Sequence, residues 1–258
     1  MTKAPGAFIV FDTPVRLRSW RIAQEFRERF PGVPGPEVAE GASDIPLMKF
    51  AGIELALIQL DVEVPADWKP IARSAAAHWP EAVAVFGRHR AHVMIHAMGA
   101  DGTNRLHVAQ AISAAIGAIL ETHPESSAVL WDQSVIHSRD LFGELSRWAF
   151  SPYPDFPTAL WVSIHPFRTE GDGDGVGAIT RGLSPFVGRE IELMGSFSQL
   201  KAIISATRRF STYLVQGEKA MKDGDTFGAN ESERIQVKFE NSRRFNGLPV
   251  MTATLPAA

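Results

Sequence analysis

The sequence predicts an α+β protein. Short β-branched and aromatic runs are interleaved with segments of helical periodicity. The first six elements read strand, helix, strand, strand, helix, strand. After a proline-rich stretch, a further set of strands surrounds one amphipathic helix.

Residues 7–11, AFIVF, form the first strand, and Asp12-Thr13-Pro14 supplies a turn and helix-start chemistry. Over 15–30, Leu17, Trp20, Ile22, Phe26 and Phe30 recur at three-to-four spacing among arginines and glutamates. This predicts an amphipathic helix that Pro31-Gly32 stops. GVPGPEVAEGASD is a loop by its glycines and prolines, and PLMKFAGIELALIQLDV reads as two strands meeting in a hairpin at Ala51-Gly52. An alanine-rich helix follows within 65–79, and AHVMIHAM is the fourth strand.

That order matches the ferredoxin-like βαββαβ unit, in which two helices cover one face of a four-stranded antiparallel sheet. Further elements extend the first region, 1–150. Leu106, Ala109, Ile112, Ala115, Ile116 and Ile119 line one stripe of a helix over 104–121, AVLWD is a short strand, and 140–150 is helical. SPYPDFP, 151–157, marks a boundary or stiff bridge. The second α+β region, 151–258, has mainly antiparallel strands at ALWVSIHPF, GVGAITRGL, REIELMG, ERIQVKFE and LPVMTATL, with a helix over 198–215 closed by Gly217.

Composition narrows the function classes. With 26 basic and 29 acidic residues well mixed, the net charge of −3 creates no field that gathers phosphate backbones or anionic lipid, so neither nucleic acid nor membrane is an expected partner. The absence of cysteine excludes disulfides, thiolate catalysis, iron-sulfur clusters and cysteine-ligated zinc. The first apolar run is too brief for a signal-peptide core, and no window approaches the roughly 20 apolar residues of a spanning helix. The expected location is the cytoplasm.

FGRHRAHVMIHAMG, 86–99, concentrates three histidines. On a strand, His92, Met94, His96 and Met98 share one face, and His89 falls outside the strand or opposite. Three readings follow. The imidazoles line a partly polar face or groove, or His92 and His96 join Asp101 and His107 around a metal, or one of them works as an acid or base. No metal and no other cofactor is expected.

EGDGDGVG, 170–177, suggests calcium, but an EF-hand register puts Arg181 where the bidentate glutamate belongs, so it reads as a glycine-rich turn. TRGLSPFVGREIEL carries Arg181, Arg189 and Glu190 beside two glycines. Either the arginines pair with Glu190 or Glu192, or they and the turn amides hold a carboxylate or phosphate. Phosphate-binding loops, dinucleotide fingerprints, nucleophile elbows and zinc-protease motifs are absent. Ser134 lies near Asp132 and His137, but a triad is a matter of geometry and not of closeness along the chain.

The phrases FIVF, LIQLDVEVPADW, AAAHWP, HRAHVMIH, AVLWDQSVI and TRGLSPFVGREIEL, in this order, resemble the bacterial domain-of-unknown-function family numbered 4261. The resemblance covers nearly the whole chain and implies a cytoplasmic α+β protein without an assigned reaction. The expected function is a non-enzymatic binding or interaction module for a protein or small-molecule partner, with His89, His92, His96, Arg181, Arg189 and Glu190 as ligand-binding candidates. The alternative is a hydrolase or other enzyme, metal-dependent or not, built on the histidines of 89–107. Exposed strand edges make a homodimer compatible with either.

Overall fold

The computed structural model describes residues 6–38, 46–100, 103–169, 174–217, 220–228 and 234–255. Contacts divide the chain into two units, Lys3–Trp161 and Val162–Ala258. Both mix helices with largely antiparallel sheets, as the α+β class requires.

In the amino-terminal unit the elements are β1 (Gly6–Phe11), α1 (Ser19–Arg29), β2 (Glu37–Val38), β3 (Leu47–Phe50), β4 (Ile53–Leu60), α2 (Lys69–Ala75), α3 (Ala82–Arg88), β5 (Ala91–Ala97), α4 (Arg105–Thr122), β6 (Ser126–Trp131), β7 (Val135–Ser138) and α5 (Arg139–Leu145). The β3–β4 hairpin forms where expected, because Ala51 and Gly52 both take positive φ, 48° and 83°. Helix α1 starts later than the periodicity predicts: the amide of Leu17 is bound by the Gln59 side chain at 2.7 Å, which holds that segment out of the helix. Asn104 caps α4 by accepting from the amide of Leu106 at 2.9 Å.

The seven strands lie in the order β2-β3-β4-β5-β1-β6-β7, every neighbouring pair antiparallel. This differs from a split βαβ, in which each helical crossover leaves a strand between the two it joins. Here β4 and β5 are direct neighbours. The cause lies in 65–90, which forms two seven-residue helices instead of one. One helix crossing the sheet would deliver the next strand parallel to the last. A pair of short helices doubles the chain back, so β5 returns antiparallel beside β4.

Helices also cover both faces. Phe8 and Val10 pack with Ala72 and Ala75 of α2 and Ala82 and Phe86 of α3, while α4, backed by α1, lies against the other side. Burial on both sides explains why β1 is almost uniformly apolar.

The carboxyl-terminal unit contains β8 (Ser163–Arg168), β9 (Gly175–Arg181), α6 (Ser184–Val187), β10 (Glu190–Ser196), α7 (Leu200–Gln216), β11 (Thr226–Phe227), β12 (Ile235–Gln236), β13 (Lys238–Asn241) and β14 (Pro249–Thr254). Five strands order as β13-β14-β10-β9-β8, with only β10 and β14 parallel, and β11 pairs with β12. Gly217 closes α7 in the left-handed conformation. Buried Ile203, Phe210 and Leu214 turn α7 onto one face of the sheet. Pro166 sits in β8, an edge strand, where its missing N–H breaks no ladder. Of the expected EGDGDGVG turn, residues 170–173 lie outside the described residues. Among the described residues, no helix is long and apolar enough to cross a membrane.

Candidate functional site

The histidines of 89–107 are placed separately. His89 is fully buried between Trp68 and Phe86, and both its ring nitrogens are engaged by backbone. Nδ1–H donates to the Phe86 carbonyl, and Nε2 accepts from the amide of Val64 at 2.8 Å. This imidazole joins the end of α3 to the segment after β4, and neither lone pair nor proton is left for a ligand. His92, 1% exposed, donates from Nδ1 to the Val62 carbonyl at 2.8 Å and stands edge-on to Phe8. Burial, opposed by that hydrogen bond, lowers its pKa from the ordinary histidine value.

His96 shares the His92 face of β5, but four strand residues separate the two Cα atoms by about 13 Å at the rise of a β-strand. It is half-buried and lines a small recess with Gly6, Phe8, Met94 and Asp132. His107 donates from Nε2 to the Ala51 carbonyl at 2.9 Å, tying α4 to the β3–β4 turn. Asp101 lies outside the described residues. Among the described residues, no three histidine or carboxylate side chains gather into a metal site. The near-sequence trio also stays apart: Ser134 donates to the Asp132 carbonyl, and His137 donates to Leu160.

The 180–193 segment has a different internal logic from either expectation. Glu190, 4% exposed, accepts from the Thr180 hydroxyl at 2.6 Å and from the amides of Gly182, Leu183 and Ser184 at 3.1, 3.2 and 3.0 Å. The anion held by the turn amides is therefore the chain's own carboxylate. Burial raises the Glu190 pKa, and its four donors act in the opposite sense. Arg181 and Arg189 do not converge. Arg189 lies over Phe239 at 4.6 Å and reaches the Glu240 carbonyl at 3.4 Å, and Arg181 lies over Phe245 at 5.4 Å.

Arg181 belongs to a constellation on the sheet face opposite α7. Register places Ser163, His165 and Phe167 of β8 across from Arg181, Ile179 and Gly177 of β9. Phe167 lies across Gly177, where a Cβ would collide with the ring and come within 2.6 Å of the Leu193 carbonyl oxygen. It meets Phe245 edge to face at 5.4 Å between centroids, and the Arg244 guanidinium lies over it at 5.5 Å. Arg244 is also 3.8 Å from the buried carboxylate of Glu192. Among the described residues, no carboxylate pairs with Arg181. On β8 the Ser163 hydroxyl and His165 Nε2 are 2.7 Å apart.

Sequence reasoning finds Arg181 but misses Ser163, His165, Phe167, Arg244 and Phe245. The available signal is the Ser-x-His alternation within SIHPF, which puts both side chains on one face of a strand.

Residues 179–251 match the family described as Domain of unknown function (DUF4261). The matched stretch, less than half of the chain, is similar to the same family that the sequence resembles. It runs from β9 into β14, so it takes in Arg181, Glu190, Glu192, Arg244 and Phe245. Ser163, His165 and Phe167 precede it, and the resembling phrases of the amino-terminal unit lie outside it. No curated protein and no solved structure matches the chain.

Proposed function

We propose that this protein is a cytoplasmic binding module that holds a small ligand with a carboxylate and a flat apolar group on the Arg181 face of the carboxyl-terminal sheet. The observation that carries this is the Arg181 guanidinium, placed over the Phe245 ring and without a carboxylate partner among the described residues. The cation–π contact uses one side of the group and leaves N–H donors to meet a carboxylate. The edge-to-face pair Phe167 and Phe245 offers an adjoining apolar surface. Arg244 is less suited as the anchor, since Glu192 already partly neutralises it. An enzyme built on the histidines of 89–107 has less support, because His89 and His107 spend ring nitrogens on backbone groups and His92 is buried.

Calorimetric titration tests the proposal. Benzoate is expected to bind the full chain and benzamide, its uncharged isostere, to bind at least about tenfold more weakly, one tenfold step being about 1.4 kcal/mol. Equal affinity for the two, or no heat with benzoate, contradicts it.

A further inference from the structure

We infer that Ser163 and His165 form a nucleophile and general-base pair, and that the Arg181 face cleaves esters whose acyl group carries a carboxylate. This rests on the binding proposed above and adds a chemical step to it. The two side chains occupy alternate positions of β8, so both project from the same face, and the Ser163 oxygen to His165 Nε2 distance of 2.7 Å is within proton-transfer reach. Both residues are half-buried, partly screened from water and still accessible. Ser163 is paired directly with Arg181 across the strands, where opposing Cβ atoms stand roughly 5 Å apart. A ligand carboxylate on Arg181 and a carbonyl at Ser163 would therefore lie on the same face of the sheet.

In the first step the Ser163 oxygen attacks the ester carbonyl carbon while its proton passes to His165 Nε2. The tetrahedral intermediate collapses with cleavage of the ester C–O bond, and the same proton goes to the leaving alkoxide. The acyl group is then an ester of Ser163. Water, the second substrate, attacks that carbonyl as His165 again takes a proton and returns it to the Ser163 oxygen. The products are an alcohol and a dicarboxylic acid. For this cycle the imidazole carries its resting proton on Nδ1, with Nε2 accepting from the serine.

The probe is 4-nitrophenyl hemisuccinate, with 4-nitrophenyl acetate as the neutral comparison, assayed on the full chain by nitrophenolate release. The expected result is turnover that favours the hemisuccinate at least tenfold, rises with deprotonation of an imidazole, and falls at least about 100-fold in Ser163→Ala and in His165→Gln. Mass spectrometry after reaction with a fluorophosphonate is expected to place the adduct on Ser163, a readout that needs no variant. Undiminished turnover in Ser163→Ala overturns the inference. So does the absence of both turnover and adduct, and if benzoate still binds, the binding module stands without chemistry. Turnover and a Ser163 adduct with no preference for the hemisuccinate uphold the dyad and remove Arg181 as its anchor.

Discussion

Thr180 and Glu190 are locked together on adjacent strands: the Thr180 hydroxyl donates to the Glu190 carboxylate at 2.6 Å and accepts from the amide of Ile191 at 2.8 Å. With the amides of Gly182, Leu183 and Ser184 on the same carboxylate, this closes the turn between β9 and β10 around a buried anion. Arg181 lies within that turn's approach, so its position over Phe245 depends on a carboxylate it never touches.

Glu190→Gln keeps the volume but turns an amide NH2 toward backbone donors. It is expected to destabilise the carboxyl-terminal unit by about 2–4 kcal/mol, the range for breaking charge-assisted bonds in a buried site. Thr180→Val is expected to cost about 1–3 kcal/mol, since it strands the Ile191 amide. Denaturant unfolding of both single variants and the double variant should give a total smaller than the sum. Strict additivity would show that the two side chains are not one unit.

Acid should destabilise the amino-terminal unit through His137. Burial lowers its pKa from 6.5 to about 4, although its Nε2–H donates to the Leu160 carbonyl at 3.1 Å. Below the unfolded pKa the unfolded chain takes a proton that the folded one refuses. Stability is therefore full above about pH 6.5 and declines as pH falls toward 4, by roughly 3 kcal/mol at 1.36 kcal/mol per pKa unit. His92 is shifted in the same direction and adds to the slope. Unfolding midpoints at pH 7.5 and 4.5 measure it. His137→Gln should lower the midpoint at pH 7.5 and flatten the dependence, and an unchanged slope would exclude His137 as its source.

Gly117 lies in the middle of α4, where alanine ordinarily favours a helix by about 1 kcal/mol. Here a Cβ would collide with Ser146 Oγ and stand 2.9 Å from Arg29 Nη2. That guanidinium donates to the carbonyls of Gly117 and Gly143 at 3.2 and 2.9 Å and to Ser146 Oγ at 2.8 Å, tying α1 and α4 to the end of α5. Gly117→Ala is thus expected to destabilise by about 1–3 kcal/mol in thermal or denaturant unfolding. A stabilised variant would mean that the three helices do not meet as tightly as described.

These cases separate what is legible in the sequence from what is not. The β3–β4 hairpin and the start of α4 are readable because Ala51-Gly52 and Asn104 act on their own neighbours. Strand order is not, since whether 65–90 makes one helix or two changes only a few residues around Trp79-Pro80 yet reverses the direction of β5. The Arg181 segment is recognisable as chemistry, but which anion its turn holds depends on where three amides point. Phe245 and Phe167 stand far apart along the chain, and only the fold brings the two rings together with Arg181 over Phe245. The histidines of 89–107 mislead for the opposite reason. Closeness in sequence suggests a shared ligand, while strand pitch and backbone partners separate them.

The proposed binding turns on Arg181, and an NMR titration of the full chain with benzoate, run in parallel on Arg181→Gln, tests this most directly. The expected result is saturable shifts centred on Arg181, Phe167 and Phe245, with affinity at least tenfold weaker in the variant while its spectrum elsewhere is unchanged. Shifts confined to other residues, or equal affinity in the two proteins, would contradict the assignment of this face as the binding site.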